Sequence, residues 1–195
     1  SSIDPSGGVF YPDSFEKHFS FNDLTHKGAL TGIRVEGPTN SVDQRIKRLS
    51  KELDLLENEY SVLDVEQSNI FWKKTKNLEV FSNTEKNLLR VVVPVSETLN
   101  FLQKLKNVDL SYFLDWGGSL IWLELNDISI KILNEIKDIT KDHNGYFTLI
   151  KVEEDMKAAA DIFTIDPIKY KISEKIKKSF DPRRIFNPGK MYTGI

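Results

Sequence analysis

The stretch Tyr112-Phe-Leu-Asp-Trp-Gly-Gly-Ser-Leu-Ile-Trp-Leu-Glu-Leu125 decides the fold, because it places two apolar runs on either side of a glycine pair. Gly117 and Gly118 suit a tight turn between two strands. We therefore predict strands at residues 112–115 and 119–125, joined as a β-hairpin. A hairpin requires antiparallel neighbours in the sheet.

Three strands in the sequence are each followed by the pattern of an amphipathic helix. The first strand covers residues 29–36 and turns at Gly37 and Pro38 before a helix that begins at Asn40 or Ser41. Apolar residues then recur every three or four positions, which places them on one helix face. They are Val42, Ile46, Leu49, Leu53 and Leu56.

The second strand covers residues 88–93 and is followed by Pro94 and by Ser96, whose hydroxyl is a candidate N-cap. The helix after it is predicted to turn one apolar face to the core. That face consists of Leu99, Leu102 and Leu105.

The third strand is residues 119–125 of the hairpin, and Asn126 or Asp127 is the candidate cap of the helix that follows. The apolar face of that helix consists of Ile128, Ile132, Ile136 and Ile139. A further strand is predicted at residues 146–152, after the turn Asn144-Gly145.

Strand–helix–strand units combined with a hairpin predict an α+β ferredoxin-like sandwich, with a mostly antiparallel sheet and helices on one face. A doubly wound parallel sheet is the alternative. We rank it lower because the hairpin requires antiparallel neighbours. Between the units, a helix at residues 66–74 carries Phe71 and Trp72, which we interpret as core residues.

The last helix is predicted to begin at Asp166, with Pro167 in its first turn. Ile168, Ile172 and Ile176 are predicted to be its buried stripe. Its lysines are predicted to lie on a solvated face or near the C-terminal dipole, with a partner or anionic-lipid site as the alternative. They are Lys169, Lys171, Lys175, Lys177 and Lys178.

Composition excludes several classes of protein. The 195 residues include no Cys, which rules out disulfides, thiolate-bound zinc and iron–sulfur clusters in this chain. A net charge of -2 argues against nucleic acid as a partner. No apolar run is long enough for a transmembrane helix, and the three histidines are too scattered for a metal site. The start lacks an initiator Met and a signal peptide, so we expect a fragment of a longer protein.

The C-terminal run Phe180-Asp-Pro-Arg-Arg-Ile-Phe-Asn-Pro-Gly-Lys-Met-Tyr192 differs in kind from the rest. Asp181-Pro182 ends the preceding helix, and Asn187-Pro188-Gly189 is predicted to form a second turn with Asn187 extended. We predict that two turns separated by Ile185 and Phe186 pin this tail. The Asn187 amide and the Lys190 ammonium then suit an anionic or hydrogen-bonding ligand.

This run resembles the C-terminal signature of FAD-linked oxidases of the vanillyl-alcohol oxidase type, most closely the FAD-binding E subunit of bacterial glycolate oxidase. The resemblance covers roughly residues 27–195. Its other segments, in the same order, are Gly32-Ile-Arg-Val-Glu-Gly-Pro38, the Trp72 segment, Leu89-Arg-Val-Val-Val-Pro94 and Leu114-Asp-Trp-Gly-Gly-Ser-Leu-Ile-Trp122.

The resemblance implies a component of an FAD-dependent 2-hydroxy-acid (glycolate) oxidase complex. Residues 1–26 would lead from an FAD-binding domain absent here, residues 27–180 would form the domain covering the flavin, and residues 181–195 the flavin-proximal tail. The cofactor-binding residues would be Asn187, Pro188, Gly189 and Lys190. Trp116 and Gly117 would lie nearest the substrate or flavin. Its partners would be the other subunits of the complex, including an iron–sulfur subunit. The protein would lie in the cytoplasm, or at the inner membrane through its partner subunits.

The sequence departs from the catalytic relatives at the hairpin. Those relatives carry a Gly-Asp-Gly-Asn-x-His stretch there, whereas Asp115-Trp-Gly-Gly118 is followed by no histidine. Direct oxidation by this subunit is therefore less expected than a flavin relay or an assembly role. Asp115 is a candidate catalytic base if apolar neighbours such as Trp116 raise its pKa, and otherwise a turn former. A subunit-docking domain is the alternative function, and a small-molecule regulatory domain a third.

Overall fold

The hairpin predicted from the glycine pair lies in the middle of the largest sheet. The computed structural model describes residues 3–18, 20–21, 24–25, 28–54, 60–81, 86–152, 156, 162–163 and 166–189. Within these residues the strands are β1 Gly7–Tyr11, β2 Ser20–Phe21, β3 Leu24–Thr25, β4 Leu30–Arg34, β5 Asn87–Val92, β6 Leu110–Asp115, β7 Leu120–Leu125 and β8 Tyr146–Lys151. The α-helices are α1 Thr39–Glu52, α2 Val65–Lys76, α3 Thr98–Lys104, α4 Ile130–Asp142 and α5 Pro167–Phe180.

Six of these strands form one antiparallel sheet in the order β4-β1-β6-β7-β5-β8, and β2 pairs with β3. The α+β class and the hairpin are thereby confirmed, and the alternative of a doubly wound parallel sheet is wrong. Along the chain, β5-α3-β6-β7-α4-β8 is a run in which each helix joins strands separated by one other strand.

The chain divides into two compact units. The first comprises Ser1–Glu85 and Phe113–Gly118, and the second comprises Lys86–Tyr112 and Ser119–Ile195.

The first unit contains a strand that the sequence did not predict. β1 pairs with β4 from Gly7↔Arg34 to Tyr11↔Leu30. Phe71 from α2 is 4% exposed, which confirms it as a core residue. Tyr11 stacks on Phe113 with 4.8 Å between ring centroids, and its hydroxyl donates to Thr75 Oγ1 at 2.9 Å.

Helix α1 begins at Thr39, ahead of the predicted Asn40 or Ser41. Pro38 precedes it at φ -59, a fixed angle that already suits a helix start, and no side chain caps it. On the predicted apolar face, Val42, Ile46 and Leu49 are half-buried. Leu53, which follows the last residue of the helix, is 52% exposed. Leu56 lies outside the described residues.

The second unit has a core of side chains from β5, β7, β8, α3 and α4. In α3 the prediction is right for Leu105, which is 2% exposed, and wrong for Leu99, which is 69% exposed. Phe101, which was not predicted to face the core, is fully buried. Ser96 is not the cap, because it lies inside a 3₁₀ turn, Val95–Glu97, that runs directly into the helix.

Helix α4 is capped by Ser129, whose hydroxyl accepts a hydrogen bond from Ile132 N at 3.2 Å, and not by Asn126 or Asp127. Asn126 instead donates to Asp109 Oδ2 at 2.8 Å. Ile136 is fully buried as predicted, together with Leu133.

The predicted turn before β8 is confirmed. Asn144 has φ 54, and a Cβ on Gly145 would lie 2.7 Å from the Val92 carbonyl oxygen, so that only glycine fits there. On the other side of β8, Leu149 N donates to Ile162 O at 2.8 Å, and Thr148 forms an antiparallel bridge with Phe163.

No helix in the described part of the chain is both long and apolar enough to cross a membrane.

Candidate functional site

Two segments hold the site residues predicted from the sequence, one in each unit. The hairpin turn, Asp115 with Trp116–Gly118, belongs to the first unit. The C-terminal tail, residues 181–189, belongs to the second. Each is built from a distinct set of local interactions.

The hairpin turn is made by three consecutive residues with positive φ. Trp116 has φ 53, Gly117 has φ 64 and Gly118 has φ 100. The turn lies against β1, where a Cβ on Gly8 would be 3.2 Å from Gly117 Cα. A bulky residue at positive φ is uncommon and costs backbone energy. Trp116 is 59% exposed, and its backbone is held by the turn in a conformation that a bulky residue does not favour.

The Asp115 carboxyl is the candidate base predicted from the sequence. It is half-buried, and burial raises its pKa above the usual value. The cause differs from the predicted one, because the Trp116 side chain is exposed and the Trp116 backbone N–H, 2.7 Å from Asp115 Oδ1, lowers the pKa. The same hydrogen bond makes Asp115 the turn former of the alternative interpretation.

Helix α5 leads into the tail and is rotated relative to the prediction. Its start is confirmed, since Asp166 Oδ1 accepts hydrogen bonds from Ile168 N and Lys169 N at 2.9 Å each. The predicted buried stripe is wrong: Ile168, Ile172 and Ile176 are 72%, 53% and 55% exposed. The half-buried residues of the helix are a different set: Tyr170, Ser173 and Lys177.

The tail is held by the carboxylate of Asp181. Asp181 Oδ1 accepts a hydrogen bond from Ile185 N and Oδ2 accepts one from Phe186 N, both at 2.9 Å. Lys177 Nζ lies 2.7 Å from Asp181 Oδ2 and also donates to Phe186 O. We call these four residues the Asp181 clamp. The hydrogen bond from Lys177, followed by those from the two amides, lowers the pKa of Asp181 to about 2.

The clamp holds the tail through its backbone, by hydrogen bonds that the prediction of two turns did not include. Ile185 and Phe186 are 64% and 68% exposed, so their side chains contribute little burial. Lys177 was assigned to a solvated face, yet its side chain is only 17% exposed because it pairs with Asp181. A Lys and an Asp four positions apart at a helix end were the available signal.

Asn187 follows the clamp with φ 46, so the predicted extended geometry is wrong. Asparagine tolerates the left-handed region better than most residues, which allows the chain to turn there. Asn187, Pro188 and Gly189 are exposed. Lys190, the fourth predicted cofactor-binding residue, lies outside the described residues.

Comparison of the sequence with protein-family models and with curated proteins finds no match.

Proposed function

We propose that this chain is the C-terminal part of a component of an FAD-dependent 2-hydroxy-acid oxidoreductase of the glycolate oxidase type, and that it covers the flavin. The FAD would be held mainly by a preceding domain, and electrons would pass to a separate iron–sulfur subunit. The flavin supplies the redox chemistry, while the protein positions it. This chain alone is expected to be inactive.

The Asp181 clamp is the observation that carries the proposal. The residues that resemble the flavin-oxidase signature fold into a defined turn, and the asparagine of that signature is exposed immediately after it. A contact residue held in place before its ligand arrives loses less conformational entropy on binding. In this proposal the clamp orders the segment just before Asn187. Asn187, Pro188 and Gly189 would then contact the flavin together with Lys190.

The connectivity of residues 87–151 supports the same proposal. The run β5-α3-β6-β7-α4-β8, with its strands in the order β8-β5-β7-β6, is compatible with the ferredoxin-like sandwich that we propose for the flavin-covering domain.

Asp115 would act as proton acceptor if the subunit itself oxidises the hydroxy acid. A carboxyl whose pKa is raised toward the working pH is a better general base. Trp116 and Gly117 would then lie nearest the substrate or flavin.

The proposal is tested by the double variant Asn187→Ala, Lys190→Ala in the protein that includes the FAD-binding domain. We expect a loss of FAD affinity of about tenfold or more, since each lost hydrogen bond is worth roughly 1 kcal/mol, and a matching fall in turnover of glycolate. The matched control is Asn134→Ala, Lys131→Ala, which changes the same residue types at exposed positions of α4. An unaltered flavin spectrum and turnover in the double variant would rule the proposal out.

The second candidate function is a non-catalytic docking domain in the same kind of complex, and the exposed side of α5 favours it. Contiguous exposed apolar side chains are typical of interaction sites. Ile172→Glu with Ile176→Glu would then abolish co-purification with the other subunits while leaving the flavin spectrum intact. Retained co-purification would exclude this side of α5 as the docking surface.

A further inference from the structure

The Asp181 clamp has a consequence for the one residue that follows it. The Phe186 carbonyl belongs to the same peptide unit as the Asn187 N–H, and a peptide unit is planar. Because Lys177 Nζ holds that carbonyl, the orientation of the whole unit is set from α5. Phe186 N is held at the same time by Asp181 Oδ2. Both ends of the Phe186 backbone are therefore fixed before the chain reaches Asn187.

The turn beyond the clamp has little freedom left. Asn187 has φ 46 and Gly189 has φ 69, and the ring of Pro188 between them fixes its own φ. The direction of the Asn187 side chain thus depends on the peptide unit that Lys177 and Asp181 orient.

We propose that Asp181 and Lys177 are positioning residues that set the Asn187 turn for the flavin. Neither needs to touch the cofactor, because Asp181 is 6% exposed and its carboxylate oxygens already accept hydrogen bonds from three groups of the tail and helix. This inference rests on the proposed function, and it assigns to the aspartate of the signature a role that acts only through Asn187.

The first arm of the test measures the clamp in this chain without any flavin. Asp181→Ala should speed hydrogen exchange at the Ile185 and Phe186 amides by about tenfold or more, since hydrogen bonds to a charged group are the stronger kind. Asp181→Asn should have a smaller effect in the same direction. Asp138→Asn, at an exposed position of α4, is the control and should leave both rates unchanged. Unchanged rates in Asp181→Ala would overturn the clamp itself.

The second arm measures FAD in the protein that includes the FAD-binding domain. Asp181→Ala and Lys177→Met should each shift the flavin absorption bands and weaken FAD binding, whereas Lys175→Met, an exposed lysine of the same helix, should not. A combined Asp181→Ala, Asn187→Ala variant should bind FAD no worse than Asn187→Ala alone, because residues acting through one group are not additive.

The outcomes separate the two claims. If Asn187→Ala weakens FAD binding and Asp181→Ala does not, the positioning role is wrong and the proposed function stands. If both weaken it and their effects add, Asp181 acts independently of Asn187 and the inference fails. If the unaltered protein binds no FAD, the proposed function is wrong, and the positioning role toward flavin fails with it.

Discussion

Helices α4 and α5 carry the same kind of isoleucine repeat but differ in how much of it they bury. In α4, Ile136 and the neighbouring Leu133 have no exposed surface, and the helix contacts α3 and β8. In α5, Ile172 and Ile176 are more than half exposed, and no residue of the helix is buried. A repeat of apolar residues therefore creates a face without specifying the surface that covers it.

The largest expected effect comes from the covered helix. Ile136→Ala should lower the free energy of unfolding by about 2 to 5 kcal/mol, because it removes buried methyl groups and leaves a cavity. Chemical denaturation followed by circular dichroism measures this loss. A change below about 1 kcal/mol would mean that α4 is not packed as described.

The N-cap of α4 gives the next largest effect. Ser129→Ala should cost about 1 kcal/mol, because the Ile132 amide loses its acceptor. Asp127→Ala is the control, since Asp127 was one of the two caps expected from sequence and should change stability by no more than about 0.5 kcal/mol. An equal loss of stability in both variants would mean that Asp127 also contributes to capping α4.

A smaller effect is expected on the exposed helix. Ile172→Ala should change the free energy of unfolding by no more than about 0.5 kcal/mol, because its side chain is already 53% exposed and alanine favours helix. The same denaturation experiment provides the measurement. A loss as large as that of Ile136→Ala would show that α5 is covered in solution, for instance by a second copy of the chain.

The smallest effect is local and depends on pH. The pKa of Asp181 is lowered to about 2, against about 4 in an unfolded chain. The clamp should therefore be fully formed above about pH 4 and be lost as the pH falls through about 2. The amide shifts of Ile185 and Phe186 should titrate in this range, while that of Leu133 in α4 should not. The titration should be absent in Asp181→Asn.

The strands of the second unit were predictable, because β5, β7 and β8 are continuous apolar or alternating runs bounded by turn residues. β1 was missed because Gly7-Gly8 is unfavourable in an isolated strand, and its pairing with β4 and β6 comes from tertiary structure. The cap of α4 was misplaced because Asn126, Asp127 and Ser129 all suit that position, and only the packed helix selects one.

The sequence was sufficient to predict which C-terminal segment forms the candidate site, but not the contacts that hold it. Pro182 marks the end of α5, so the aspartate before it was interpreted only as part of a helix stop. Its carboxylate reaches forward to the amides of Ile185 and Phe186, and no local propensity describes that contact. The exposed face of α5 was missed because a repeat of isoleucines favours burial, whereas Ile168, Ile172 and Ile176 are more than half exposed here.

The short segment beside β8 has a consequence for how chains of this protein meet one another. β8 is the last strand of its sheet, and a bare edge is a template on which another chain can add a strand. The bridge from Thr148 to Phe163 and the bond from Leu149 N to Ile162 O occupy part of that edge. We therefore expect that removing residues 162–163 would leave the centre of β8 open to association with the edge strand of a second chain.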